Sequence, residues 1–127
     1  THLKQEKAMS LILITHNLGV IAETVQNVMV MYAGRILEYA NVRAIFVNPK
    51  HPYTQGLLNS IPRVDRDDTK KERLEAIPGL VPSLFDLPEG CKFLERCKYA
   101  FDPCAAEEPP LGESGSGHFV RCWLYES

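Results

Sequence analysis

All four cysteines of the chain stand in its last third, spaced Cys91-x5-Cys97-x6-Cys104-x17-Cys122. Four thiolates can close a tetrahedral metal site or hold a cubane iron–sulfur cluster. In an oxidising compartment the same four would form two disulfides. The spacing shows neither the short CxxC knuckles of common zinc modules nor the ferredoxin runs, so the residues alone leave metal, disulfides and free thiols open. His118, four residues before Cys122, is a further nitrogen ligand by position or a solvated loop histidine.

A second candidate lies near the start, where SLILITHNLGVIAE, residues 10–23, runs from an apolar block through Thr15, His16 and Asn17 into a helical pattern. Leu11–Ile14 is a continuous apolar run, which fits a strand buried on both faces of a parallel sheet. In open parallel sheets ligands sit outside the carboxyl ends of the strands, which is where His16 falls. A histidine there either is a satisfied side chain at a strand end or hydrogen-bonds a phosphate oxygen and orients a water.

The elements that position these residues follow from periodicity and turn chemistry. Leu18, Ile21, Ala22 and Val25 repeat at helical spacing. Two strand-like runs, Val28–Tyr32 and Arg35–Tyr39, flank Ala33-Gly34 and predict a hairpin. Short helices are expected over Val42–Val47, capped by Asn41, and over Pro52–Ile61, with the proline in the first turn. Ile45, Phe46, Leu57, Leu58 and Ile61 would cover the hairpin or the sheet edge. An α/β fold is therefore expected. After Arg63 the text changes: DRDDTKKERLE reads as a solvated connector, Pro78, Pro82 and Pro88 impose extended or turn backbone, and residues 113–117 (ESGSG) read as a flexible loop tip. The last third has few regular elements of its own, and its cysteines are the expected fastening.

Composition narrows the function. At 127 residues, 45% hydrophobic and 24% charged, the chain fits one modest domain or a small domain with an appendage. A net charge of -2, with 14 scattered Lys and Arg, gives no basic field for nucleic acid. No apolar run reaches the roughly 20 residues that span a bilayer. THLKQEKAMS has no signal core and no initiator Met, so the chain is expected to be a piece of something longer.

ITHNLGV followed by VMVMYAGRILE resembles the histidine switch and terminal hairpin of an ABC-transporter nucleotide-binding domain. NPKHPYTQGLLNSIPR resembles the signature that ends this domain in the oligopeptide/dipeptide importer subfamily. IPGLVPSL, LPEGCKFLERC and VRCW resemble that subfamily's carboxy-terminal extension. The resemblance runs from about Ser10 to Trp123. It implies residues 1–63 as the end of a P-loop ABC ATPase domain, 64–77 as a charged linker and 78–127 as an irregular, cysteine-bearing extension.

By the same resemblance His16 is the switch histidine that contacts the ATP γ-phosphate and helps arrange the attacking water. Asn17 stands where the family usually has an aspartate. Cys91, Cys97, Cys104 and Cys122 match the cysteines that bind a [4Fe-4S] cluster in similar ATPases; zinc or disulfides are the alternatives for an isolated piece. His51, Pro52 and Tyr53 match the HPY signature, read as structural. The whole subunit would use ATP and Mg, pair with a second ATPase subunit, grip membrane permeases at the cytoplasmic face, and serve a peptide-binding protein indirectly. The chain holds no GxxxxGK[ST] loop, no LSGGQ-like signature and no apolar strand ending in Asp-Glu, so alone it is expected to hydrolyse no ATP and to self-associate through its bare apolar run. A rival of another class is a stand-alone cysteine-rich metal-binding or interaction module. A secreted disulfide domain is disfavoured by the lack of a leader.

Overall fold

The computed structural model describes residues 10–60, 77 and 79–126. Helix α1, Leu18–Thr24, starts where the Asn17 side chain accepts the Val20 amide, satisfying one of the free donors of the first turn. Strands β1 (Asn27–Tyr32) and β2 (Arg35–Asn41) then pair antiparallel, with a bulge between Val30 and Met31. Both turn residues take positive φ, 48° at Ala33 and 78° at Gly34. That is the type I′ signature, whose twist matches the strands. Alanine in the left-handed region costs about 1–2 kcal/mol, which strand pairing must offset.

Helix α2, Val42–Val47, follows at once, its cap Asn41 accepting the Arg43 amide at 2.8 Å. Helix α3, Pro52–Asn59, has proline in its first turn, where no amide is missed. Ser60 caps it, one residue short of the expected end; Ile61 lies outside the described residues, as do residues 65–75 of the charged run.

The extension is less irregular than its text suggests. Cys104 sits in helix α4 (Asp102–Ala106), and residues 112–120 fold back as a second hairpin, β3 (Gly112–Glu113) and β4 (Phe119–Val120). The stretch expected to be a flexible tip is its turn, with Gly115 and Gly117 at positive φ. Strand β4 pairs antiparallel with β2, Glu38 opposite Val120 and Tyr39 opposite Phe119. The sheet order is β1-β2-β4-β3.

Two apolar clusters hold this sheet. Val28, Ala40 and Ile45 form one, which carries α2 against the hairpin. Tyr32, Leu37 and Phe93 form the other; Phe93 meets the Tyr32 ring edge-on at 5.3 Å, and Ile77 and Tyr53 pack alongside. Phe46 and Leu57 are half-buried, and Leu58 is buried.

Leu11–Ile14 departs from expectation. It forms no strand, and its side chains are 41–93% exposed. A parallel strand needs neighbours on both sides, and none of the described strands runs beside it. Among the described residues no helix is long and apolar enough to cross a membrane.

Gly90 shows how closely the extension is packed. A Cβ there would lie 2.0 Å from the Cys104 carbonyl oxygen, because the next amide, of Cys91, bonds that oxygen at 2.8 Å. The obstacle is backbone and cannot rotate away. Gly90→Ala is expected to destabilise the chain by about 1–3 kcal/mol, read as a lower urea midpoint. Gly19→Ala in α1, whose Cβ would meet only Asn17 Oδ1 at 3.4 Å, should leave the midpoint unchanged or raised. Equal midpoints for Gly90→Ala and the parent chain would refute the packing argument.

Candidate functional site

The four cysteines converge on one small cavity, reached by four different routes. Cys91 is tied to Cys104 by its amide bond to the Cys104 carbonyl, and its own carbonyl accepts the Leu94 amide at 3.1 Å. Cys97 follows a single 3-10 turn, Leu94–Arg96. Cys104 lies on α4, whose chain direction is set by Pro103. Cys122 stands two residues after β4 and opens the 3-10 turn Trp123–Tyr125. Its neighbour Arg121 is stitched to β2, the amide to Leu37 carbonyl at 2.7 Å and Nε to Ile36 carbonyl at 2.9 Å.

None of the four is in a disulfide. Burial pushes the Cys91 thiol up, with the charges of Cys104, Cys97 and Glu108 adding to it. Burial and then Cys104 do the same at Cys97. Cys122 is pushed up to about 11, by burial first and then by the other three thiols. Each of these three therefore stays protonated at neutral pH unless a cation replaces the protons. Among the described residues no three His, Cys, Asp or Glu side chains stand together so as to hold a single metal ion. The donor set is soft, sulfur-only and shares one apolar-walled cavity, which fits a thiolate-held group better than a hard cation.

His51 lines the same cavity. It is 1% exposed and caps α3, its Nδ1 accepting the Tyr53 amide at 3.0 Å. An Nδ1 that accepts carries no hydrogen, so the neutral ring bears its proton on Nε2. Nε2 is buried and makes no well-formed hydrogen bond, the Arg121 backbone carbonyl being the polar group it faces. Burial lowers the His51 pKa to about 4, and that carbonyl pulls the other way. Pro52 and Tyr53 act as read from sequence: Pro52 is buried in the first turn of α3, and Tyr53 meets Tyr32 edge-on at 4.8 Å.

Sequence reasoning missed the carboxylate that supports this corner. Glu38 on β2 is completely buried. Its two oxygens accept the backbone amides of Lys50 and His51, each at 2.9 Å, and Oε2 also meets His118 Nε2. His118 is therefore engaged with Glu38 and is not among the residues lining the thiol cavity. A lone acid in the strand text RILEYAN was the available signal, since a carboxylate between buried neighbours needs partners. Removing one partner of such a buried set costs about 3–5 kcal/mol.

His16 stands elsewhere. It is exposed, one residue ahead of the Asn17 cap, and does not line the cysteine cavity. Asn17 in turn shows what the position requires of its side chain: an oxygen that accepts the Val20 amide, which asparagine supplies as well as aspartate.

Comparisons with known proteins add to this geometry. A family model described as oligopeptide/dipeptide transporter, C-terminal region, matches residues 37–104. A Brucella ovis protein described as a peptide import ATP-binding protein is 50% identical over 123 residues, covering 94% of this chain and 36% of the relative. The dipeptide transport ATP-binding protein DppD of Escherichia coli is 46% identical, with the same coverage of both chains. The oligopeptide transport ATP-binding protein AppD of Bacillus subtilis is 49% identical over 92% of this chain and 35% of its own length. The chain spans about a third of the length of the curated relatives it matches.

The buried imidazole links stability to acid. With a folded pKa of about 4 against an ordinary 6.5, His51 binds its proton more readily in the unfolded chain. Its burial favours folding fully above pH 6.5, and that contribution is lost as pH falls towards 4. The loss across this window is on the order of 3 kcal/mol. Urea midpoints at several pH values should fall more steeply in the parent chain than in His51→Asn, which keeps a capping oxygen and does not titrate. Parallel slopes for the two would count against a neutral, buried His51.

Proposed function

Because the chain belongs to the oligopeptide/dipeptide transporter C-terminal region family, we propose that it serves as the carboxy-terminal part of the ATP-hydrolysing subunit that energises peptide import by an ABC transporter. One observation carries the reading. About half of all residues are identical to those of peptide import ATP-binding proteins over 94% of the chain, a stretch long enough to include both the β1–β2 hairpin and the thiol-bearing segment. Residues 1–63 would then close the nucleotide-binding domain, 64–77 connect, and 78–127 form the extension. The extension supplies β4 to the same sheet, and the hydrogen bonds of Glu38 and Arg121 tie the two parts together.

In the whole subunit ATP and Mg would be held by the phosphate loop and acidic strand end expected from the relatives, at the cytoplasmic face of the membrane, with a second ATPase subunit, permeases and, through them, a peptide-binding protein. His16 would donate to the γ-phosphate and help hold the attacking water. Its exposure at a helix start supports that role, because a histidine there is free to meet a ligand. The exposed Leu11–Ile14 run would seat against the rest of the subunit, and in the isolated chain against a second copy.

Cys91, Cys97, Cys104 and Cys122 would hold a [4Fe-4S] cluster. A cluster supplies one-electron redox chemistry or a structural cross-link when bound. Their shared cavity supports it, since all four sulfur-bearing side chains line the same small space. Burial first, and then the neighbouring thiols, raise Cys91, Cys97 and Cys122, and a cationic core would offset both effects.

Two experiments test the reading. A chimera with this chain in place of the matching third of the E. coli dipeptide transport ATP-binding protein should support growth on dipeptides, while His16→Ala should cut its ATP turnover about 10²-fold or more. The isolated chain should show no turnover. A chimera that assembles but is indifferent to His16→Ala would sink the switch role. Separately, anaerobic purification should give a chain carrying about four irons and four sulfides, lost in Cys97→Ser; zinc, or thiols oxidised in pairs, would refute the cluster.

A further inference from the structure

Two of the four cysteines are tied to each other through main chain. The Cys91 amide donates to the Cys104 carbonyl at 2.8 Å. With ordinary bond lengths on either side, a bond of that length cannot leave the two α-carbons more than about 6.7 Å apart. That limit lies inside the range a disulfide spans. Gly90 permits the approach, since a Cβ there would meet the same carbonyl oxygen at 2.0 Å. No other two cysteines share a backbone bond among the described residues.

The side chains share surroundings too. Both line the same cavity. Burial is the first cause that raises the Cys91 thiol, and among the charges acting on it that of Cys104 ranks ahead of Cys97 and Glu108. The two differ in access, for Cys91 is partly exposed and Cys104 is buried. A reagent in solution therefore meets Cys91 first, and Cys104 is left to complete the reaction from inside.

We propose that Cys91 and Cys104 form a dithiol oxidation site, open to small disulfides such as oxidised glutathione whenever the cavity holds no cluster. The Cys91 thiolate attacks one sulfur of the reagent, which forms a mixed disulfide and expels one glutathione thiolate. The Cys104 thiolate then attacks the Cys91 sulfur and expels the second. Two electrons pass from the cysteines to the reagent, and the two cysteine protons end on the two glutathione thiols. Cys97 and Cys122 remain thiols. The link withdraws two of the four cluster ligands, so the oxidised chain takes up no cluster until a reductant reopens it. This blocking rests on the cluster reading, and the pairing itself does not.

The test uses the full chain, freed of iron by a chelator under reductant and then exposed anaerobically to oxidised glutathione. Remaining thiols are capped with N-ethylmaleimide and the chain is cut with trypsin, which separates all four cysteines because Lys92, Lys98 and Arg121 stand between them. By mass spectrometry the Cys91 and Cys104 peptides should be joined in the principal product, with Cys97 and Cys122 capped. In denaturant, loop closure favours the shorter spans Cys91 to Cys97 and Cys97 to Cys104, and the preference should be lost. A different principal pair in the folded chain, or glutathione adducts with no link, overturns the proposal. The reduced and oxidised chains are then offered ferrous iron and sulfide. Uptake of about four irons by the reduced chain, lost in the oxidised chain and restored by dithiothreitol, supports the blocking; equal uptake by both overturns it. A reduced chain that takes up no iron overturns the cluster reading and the blocking with it, while the peptides still decide the pairing.

Discussion

One buried carboxylate organises the described part of this chain. Glu38 is the meeting point of three segments that are distant in sequence: strand β2, the 50–51 loop that starts α3, and the beginning of β4 at His118. Each of its oxygens accepts a backbone amide, which is what allows a carboxylate to sit at zero exposure. Without it the Lys50 and His51 amides would be buried and unmet, α3 would lose its starting point, and the second hairpin would have no polar anchor on the first. A second acid does similar work on the other side of the extension. Glu108 gathers Arg35 at 2.9 Å, Lys92 at 3.6 Å and Arg121 at 3.8 Å. Glu108, Arg35 and Arg121 all remain partly exposed, so its net contribution is smaller.

What was legible in the sequence was local. Ala33-Gly34 between two strand-like runs specified the hairpin, and Asn41 and Pro52 marked the starts of α2 and α3, because turn and cap chemistry acts over a few residues. The pairing of β4 with β2 could not be read, since nothing in the short text HFV states which strand it joins. Nor could Leu11–Ile14 be assigned its neighbours: an apolar run says that it will be covered and not by what. The four cysteines were legible as a set from their clustering in the last third, and the structure brings them to one cavity. His118, four residues from Cys122, read as a ligand by position or a solvated loop histidine. The register of β4 commits it to Glu38 instead, and His51, forty residues before the first cysteine, is the histidine at the cavity.

The HPY signature thus has three distinct physical functions in consecutive residues. His51 caps and lines the thiol cavity, Pro52 fixes the first turn, and Tyr53 fills the aromatic corner with Tyr32 and Phe93. Because Phe93 belongs to the segment between the first two cysteines, the corner joins the hairpin to the extension through rings as well as through the sheet. Arg96 lies over the Tyr32 ring at 5.8 Å from its centroid and adds a cation to the same corner.

The order in which these parts leave the ribosome has its own consequence. Glu38 and His118 are 80 positions apart, and at roughly 5–20 residues per second the strand bearing the acid waits about 4–16 s for its partner. During that interval the hairpin can close, since its contacts are local, but its inward-facing charge has no imidazole to meet and keeps water in the cleft. The later of these elements therefore seals the sheet, and a chain released before it would be left wet at its centre rather than merely shorter.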